Sequence, residues 1–208
     1  MAILVAHRAG NDLKRLREAE ALGIAHIEAD VRLWRGRLEV RHLKTLGPIP
    51  VLWDRWRLAN PFARRLVLAE LLASIGPRTE LILDLKGRNG ELATRVLATL
   101  GDRCATVCAR DWRLLQPFVD LPNVRVVHSV GTTRQLRKLH ARYAGDRLDG
   151  VSIHERLLDA ATVSELRRLS SFVMTWPVNT LQRAEELVAL GIDGLISDDL
   201  VLASSFDA

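Results

Sequence analysis

The feature that most constrains the fold is a regular alternation of short apolar or β-branched runs with segments of helical spacing. Between the runs, apolar residues recur every three or four positions, as at Leu92, Val96 and Leu100. Strands that alternate with helices in this way form right-handed βαβ units around a parallel sheet. The candidate strands recur about every 20 to 25 residues and cover residues 2–6, 26–33, 80–86, 105–109, 124–130, 150–154, 172–178 and 194–197. Eight such strands in 208 residues predict an α/β fold, a compact (β/α)8 TIM barrel.

A doubly wound open sheet is the alternative fold for the same alternation. The turn after the first strand, residues 7–11, lacks the three glycines of the dinucleotide-binding fingerprint, and the sequence contains no P-loop. Both absences favour the barrel. The chain also shows no linker or low-complexity tract, so we expect residues 1–208 to form a single domain.

Composition excludes several classes of protein. With 48% hydrophobic and 26% charged residues, the chain is neither disordered nor collagen-like. Its longest uncharged apolar runs, such as 2–6 and 71–75, are far shorter than the roughly 18 residues of a membrane span. His7 interrupts the N-terminal run before it reaches the length of a secretory signal, so we expect a cytoplasmic protein. Cys104 and Cys108 suit neither a disulfide framework nor a zinc site, and we expect both to be buried in one strand.

Polar residues collect at the C-terminal ends of the first three candidate strands. Glu28 and Asp30 are two residues apart and therefore share one face of the second strand, and Asp84 ends the third strand in the same way. Barrel enzymes carry their chemistry at these strand ends. Buried carboxylates are costly unless they are paired or bind a cation, and their oxygens suit Mg²⁺ or Ca²⁺. We therefore predict that Glu28, Asp30 and Asp84, here called the carboxylate cluster, bind one divalent cation.

Other titratable residues near strand ends carry weaker signals. His128 and His154 lie late in the fifth and sixth strands and are candidates for a pocket. Asp198 and Asp199 follow the eighth strand, where capping of a final helical turn explains them equally well.

Read in order, these residues resemble the glycerophosphodiester phosphodiesterases, whose barrel opens with His-Arg-Gly, continues with Glu-x-Asp and then has a His after a short hairpin. The corresponding segments here are His7-Arg8, Glu28-Ala29-Asp30 and His42, which follows residues 35–41. Farther along, Ile49-Pro50-Val51-Leu52 is similar to the family's Ile-Pro-Thr-Leu and Asp84-Leu85-Lys86 to its Glu-x-Lys. Trp176-Pro177-Val178-Asn179 and residues 191–198 are similar to its Trp-Thr-Val-Asn and its closing Gly-Val-Asp-Gly-Ile-Ile-Thr-Asp.

The chain also departs from the family pattern. Ala9 replaces the glycine after His-Arg, the usual Pro-Glu-Asn-Thr is missing, Leu43 follows the second histidine in place of Asp, and Asp84 replaces Glu. Only residues 43–48 separate His42 from the next motif, so the family's insertion is nearly absent. With Asp84, the Asp-x-Lys motif is closer to that of the sphingomyelinase D enzymes of the same superfamily.

The resemblance implies a phosphoric diester hydrolase of lipid metabolism that cleaves glycerophosphodiesters to an alcohol and glycerol phosphate. It implies that His7 and His42 act as general acid and base, in an order that the sequence leaves open. It makes the carboxylate cluster the site of one divalent cation, Mg²⁺ or Ca²⁺, and Arg8, Lys86 and Trp176 contacts of a small phosphodiester substrate.

Two alternatives stay open, an enzyme of the same superfamily and a protein of another class. A phospholipase D or sphingomyelinase D-like enzyme would act on lysophospholipids instead. A non-catalytic barrel that binds anions or nucleic acid would fit the formal charge of +5, but no aromatic stacking set or clustered basic face requires a nucleic-acid partner. The sequence leaves the oligomeric state open.

The long connection after the second strand, residues 34–61, lies on the catalytic face of a barrel. Because the insertion is so short, we expect its apolar and cationic side chains to form an open rim that contacts a lipid or membrane surface. The predicted rim consists of Leu46, Ile49, Leu52, Trp53, Arg55, Trp56 and Arg57. Packing of these residues beneath the second helix is the alternative.

Overall fold

The computed structural model describes residues 2–46, 49–54, 57–59 and 64–206. Twelve strands lie in these residues: β1 (Ile3–Ala6), β2 (His26–Trp34), β3 (Arg37–Val40), β4 (Lys44–Leu46), β5 (Ile49–Asp54), β6 (Arg57–Ala59), β7 (Glu80–Leu85), β8 (Ala105–Ala109), β9 (Val124–Val130), β10 (Gly150–His154), β11 (Val173–Trp176) and β12 (Gly194–Ser197). The helices are α1 (Leu13–Ala21), α2 (Leu68–Ser74), α3 (Gly90–Leu100), α4 (Thr133–Arg142), α5 (Ala160–Leu169), α6 (Leu181–Ala189) and α7 (Leu200–Phe206). Among the described residues, no helix has both the length and the apolar character needed to cross a bilayer.

Eight of the strands close into a parallel barrel. Around the barrel the order is β1, β2, β7, β8, β9, β10, β11 and β12, and β1 pairs in parallel with both β12 and β2. All eight predicted barrel strands are present, and four of them have the predicted bounds. The (β/α)8 prediction is confirmed, and the closure excludes the open sheet.

Side chains alternate between the inside and the outside of the barrel. Val5, Ile82, Cys108, Val127, Met174 and Ile196 fill the interior, and the opposite faces of the strands pack against the helices. Cys108 is buried, as predicted. The prediction for Cys104 is wrong, because β8 begins one residue later and leaves that thiol exposed.

Except after β2, the loops at the C-terminal ends of the barrel strands are short, and polar side chains cap the helices that follow five of them. Asp12, Asn89, Thr132, Asp159 and Thr180 each accept a backbone hydrogen bond from the first turn of the helix that follows. After β8, a three-ten helix over Trp112–Phe118 takes the place of an α-helix. The strand ends therefore stay close to the helix starts, and side chains that follow the strands face the barrel mouth.

The connection after β2 contains regular structure that the sequence did not indicate. β2 and β3 form an antiparallel hairpin, and its two turn residues, Arg35 and Gly36, have positive φ angles of 46° and 75°. β4, β5 and β6 form a separate three-stranded antiparallel sheet. The side chains of the predicted rim lie outside what the structure describes, so the rim stays a prediction.

Candidate active site

The carboxylate cluster lies where β2 and β7 end side by side. These two strands pair in parallel with Asp30 opposite Asp84, and Glu28 precedes Asp30 by two residues on the same face. One carboxylate oxygen of each residue lies within 4.8 Å of the others. The structure thus brings together the three residues that the sequence predicts to share a cation.

The cluster carries more negative charge than its one lysine balances. Lys86 Nζ lies 2.9 Å from Asp30 Oδ1 and also donates a hydrogen bond to Asp84. Burial raises the pKa of Glu28 well above its usual range, with a further contribution from the charge of Asp30. Burial likewise raises the pKa of Asp84. A divalent cation would offset this charge and favour the ionised carboxylates.

Asp30 is the exception within the cluster. Burial alone would raise the pKa of its carboxyl group, but the Lys86 ammonium and then His42 outweigh burial and hold it well below the usual range. The same carboxylates keep the pKa of Lys86 above its usual value, although burial opposes them. Asp30 is therefore the ionised centre of the cluster.

One further observation supports the view that these carboxylates suit a divalent cation. Asp84 Oδ1 is buried and has no hydrogen-bond partner among the described residues. A buried acceptor without a partner is costly, whereas a cation would satisfy it. Glu28, Asp30 and Asp84 are thus the residues that would hold the ion.

His7 directly follows β1 and is oriented by a carboxylate from the last barrel strand. Its Nδ1 lies 2.7 Å from Asp198 Oδ1. The hydrogen bond with His7 lowers the pKa of Asp198 to about 2, although burial opposes it. A carboxylate at Nδ1 fixes the ring and leaves Nε2 for proton transfer.

From the sequence, Asp198 and Asp199 are strand-end candidates that capping of a final helical turn explains equally well. Asp199 does cap α7, through the backbone N–H of Val201 at 2.9 Å. Asp198 instead pairs with His7, and Asn179 accepts the backbone N–H of Asp198 at 3.0 Å.

His42 follows the β2–β3 hairpin and contacts the carboxylate cluster. Its Nδ1 lies 3.2 Å from Asp30 Oδ2, and Arg8 Nη2 lies 3.1 Å from its Nε2. The backbone N–H of Arg8 donates to Glu28 Oε2 at 2.7 Å. Both predicted histidines therefore lie at the same barrel mouth as the cluster, each beside a carboxylate.

Asn11 is a site residue that the sequence pattern did not single out. Its Nδ2 donates to Asp30 Oδ2 at 2.7 Å, and its Oδ1 accepts the backbone N–H of Asp30 at 2.8 Å. This two-point contact fixes the carboxylate that also contacts His42 and Lys86. The sequence could have indicated this residue by its position, because Asn11 is the only side-chain amide in the turn that follows His7.

The remaining predicted residues separate into two groups. Trp176 lies half-buried at the end of β11, with its ring centroid 4.6 Å from that of His154. Both side chains therefore lie at the barrel mouth. His128 points outward, where its Nε2 lies 3.0 Å from the Tyr143 hydroxyl and its ring packs edge-on against Trp112. The prediction that His128 belongs to the pocket at the barrel mouth is therefore wrong, because alternation along β9 turns it away from the barrel interior. It lines instead a cavity of about 790 Å³ that none of the proposed active-site residues lines.

The molecule is thus a (β/α)8 barrel with a candidate metal-binding active site at the carboxyl end of its strands. The sequence matches no protein-family model and no curated protein. Solved structures nevertheless share the fold over nearly the whole chain.

Three of these structures illustrate the likeness. The glycerophosphodiester phosphodiesterase of Thermotoga maritima has a TM-score of 0.79 at 18% identity, covering 99% of this chain and 98% of its own. The Oleispira antarctica phosphodiesterase, solved in complex with the product sn-glycerol-3-phosphate, has a TM-score of 0.76 at 18% identity, covering 100% and 98%. The Parabacteroides distasonis glycerophosphodiester phosphodiesterase has a TM-score of 0.75 at 17% identity, covering 99% and 96%.

Proposed function

We propose that this chain is a metal-dependent glycerophosphodiester phosphodiesterase, which hydrolyses small glycerophosphodiesters to an alcohol and glycerol phosphate. The observation that carries the proposal is the meeting, at one barrel mouth, of the carboxylate cluster with two histidines. His7 is paired with Asp198, and His42 with Asp30. The fold likeness to phosphodiesterases supports the same activity.

The side chains suit the needs of phosphodiester cleavage, which are charge neutralisation and proton transfer. A divalent ion, Mg²⁺ or Ca²⁺, bound by Glu28, Asp30 and Asp84 would supply Lewis-acid polarisation of the phosphate. Arg8 adds a cation beside His42. The extra positive charge would stabilise the oxygens on which negative charge develops.

The two histidines carry the proton transfers. One imidazole removes the proton of the attacking hydroxyl, from water or from the substrate's own glycerol, and the other protonates the departing alkoxide. Asp198 holds the His7 ring in place, and Asp30 and Arg8 hold that of His42. Lys86 contacts the carboxylates, so in this proposal it balances the charge of the cluster, and its contact with the substrate phosphate stays a prediction.

The test combines turnover with ion binding. We expect purified protein to release glycerol phosphate from glycerophosphocholine with Mg²⁺ or Ca²⁺ present and to lose this activity in EDTA. His7→Ala and His42→Ala should each lower kcat by at least roughly 10²-fold, as expected for lost general acid–base catalysis, with little change in Tm. Full turnover after exhaustive chelation would contradict the metal, and near wild-type kcat in His42→Ala would contradict its assignment.

The sphingomyelinase D-like alternative is favoured by one sequence feature, the Asp84-x-Lys86 motif. Release of the head-group alcohol from a lysophospholipid, with glycerophosphocholine left intact, would select it. We further propose that residues 1–208 act as one domain and that the protein works in the cytoplasm.

A further inference from the structure

Arg110 reaches over the half of the barrel mouth that faces away from His7 and His42. It directly follows β8, and its Cζ lies 5.0 Å from the ring centroid of Trp176 on β11. Gly131, after β9, leaves space for this reach. A Cβ on Gly131 would lie 3.3 Å from Arg110 Nη2. The guanidinium is thus held over the mouth by an aromatic face while it remains exposed.

The acidic residues near Arg110 on this half of the barrel mouth already have partners. Asp111 is paired with Arg113 at 2.6 Å, and Glu155 with Arg183 at 2.9 Å. Within the part of the chain that the structure describes, Arg110 forms no ion pair. The charge of Arg110 favours the ionised form of Asp84 in the carboxylate cluster. Among the described residues, however, no carboxylate pairs directly with this exposed guanidinium on the wall of the barrel mouth.

A second arginine and a neutral histidine complete the wall. Arg156 Nη2 donates to the carbonyl oxygen of Gly131 at 3.3 Å, which places this guanidinium on the same wall as Arg110. Burial, and then the nearby Arg156, lower the pKa of His154. His154 Nδ1 accepts the backbone N–H of Arg156 at 3.3 Å. The uncharged ring, packed against Trp176, therefore carries its proton on Nε2 and can donate a hydrogen bond from there.

This arrangement disfavours a cationic ligand. Quaternary ammonium groups bind to open aromatic faces, but the guanidinium of Arg110 covers a face of Trp176 and would repel another cation. The same guanidinium has planar N–H donors, which match the geometry of phosphate and carboxylate oxygens.

We propose that Arg110, stacked on Trp176 and supported by Arg156, forms an anion subsite for the alcohol portion of the substrate. The enzyme then favours glycerophosphodiesters whose alcohol carries a second negative charge, such as a phosphomonoester. This inference rests on the proposed function, because it assigns a substrate class to the same barrel mouth.

The test uses two substrates that differ by one phosphate, glycerophosphoinositol and glycerophosphoinositol 4-phosphate, with glycerophosphocholine as a cationic third. Arg110→Gln should lower kcat/KM for the phosphorylated substrate by roughly 10- to 100-fold, mainly through KM, because a charged hydrogen bond is lost. The other two substrates should change less than about twofold.

The chain offers a matched control at the opposite end of the barrel. Arg125 is stacked on Phe172 at 4.8 Å, beside a cavity of about 790 Å³ that none of the proposed active-site residues lines. Arg125→Gln removes the same kind of cation–aromatic pair and should leave all three kcat/KM values unchanged. Calorimetric binding of inositol 4-phosphate, weakened by Arg110→Gln and not by Arg125→Gln, tests the subsite without turnover.

The outcomes distinguish the subsite from the proposed function. Equal loss on all three substrates in Arg110→Gln would show that Arg110 serves the scissile phosphate and would overturn the subsite. Wild-type cleavage without preference for the phosphorylated substrate would also overturn it. Wild-type protein that cleaves none of the three contradicts the proposed function, and the calorimetric comparison then decides the subsite separately.

Discussion

His7 and Asp198 are 191 residues apart in the chain, yet their side chains meet at 2.7 Å. The reason is the register of the barrel's closing strands, in which Ala6 on β1 pairs with Ser197 on β12. The residues that follow each strand therefore emerge side by side at the mouth. Sequence spacing alone could not reveal this pair, because it depends on which two strands close the barrel and in which register.

At the scale of single residues, we expect substitutions of the adjacent Asp198 and Asp199 to have opposite effects on turnover and stability. Asp198→Ala removes the carboxylate that orients His7, and we expect kcat to fall by roughly 10- to 100-fold, the range for an orienting partner, with little change in stability. Asp199→Ala removes the α7 cap and should lower the unfolding free energy by about 1 kcal/mol while kcat is unchanged. Turnover and thermal melts of both variants check this. Equal kcat in the two variants would remove Asp198 from the site.

At the scale of elements, the turn after β1 places Arg8 and Asn11 against the carboxylate cluster. Arg8 adopts a left-handed conformation with φ of 55°, which directs its backbone N–H to Glu28. The turn then lies directly on β2, because a Cβ on Gly10 would come 2.7 Å from the Ala29 Cβ and 3.2 Å from the Glu28 carbonyl oxygen. Close approach at Gly10 therefore sets the position of both polar side chains.

Gly10→Ala should consequently damage both stability and catalysis. We expect a loss of about 1–3 kcal/mol in unfolding free energy, as for other overpacked contacts, together with a lower kcat because the turn must move away from β2. Gly90→Ala is the control, since a Cβ there meets nothing within 4 Å at the start of α3. It should keep wild-type kcat and stability or gain slightly. If Gly10→Ala melted and turned over like Gly90→Ala, close packing of the turn would not position the site.

The sequence predicts the bounds of some strands and helices more accurately than those of others. β8, β9, β10 and β12 were predicted to the residue, because their runs are apolar and end in polar or glycine-containing turns. The three-residue strands β4 and β6 are too short for a period-two pattern, so residues 44–59 showed no sheet. The segment Trp112–Phe118 has apolar spacing, but Pro117 lacks the N–H that an α-helix would need there.

At the scale of the whole molecule, the alternation of strands and helices was enough to predict a closed barrel and to place the carboxylate cluster at its mouth. It could not place side chains that reach the mouth from distant strands, such as Asp198 and Arg110. The two-residue alternation along a strand shows which side chains share a face, but it does not show which face lies inside the barrel. His128 shows this, because it lies in a correct strand but on the outer face, between β9 and α4.

This outward histidine makes the stability of the folded chain depend on pH. Burial, and then the charge of Arg142, lower the pKa of His128 from 6.5 to about 4. The unfolded chain therefore binds more protons between these values, so stability is fully present above pH 6.5 and is lost as pH falls toward 4. We expect this residue alone to lower the unfolding free energy by about 2 kcal/mol between pH 7.5 and pH 5.

Denaturant unfolding of two variants at both pH values isolates this contribution. His128→Gln loses ring packing at every pH, but it has no imidazole to titrate, so its fall in stability between pH 7.5 and pH 5 should be about 2 kcal/mol smaller than that of the wild type. Tyr143→Phe removes the hydroxyl that contacts His128 Nε2 and keeps the buried imidazole. It should be about 1 kcal/mol less stable at both pH values and retain the wild-type pH dependence. An unchanged pH dependence in His128→Gln would mean that other groups cause the acid loss of stability.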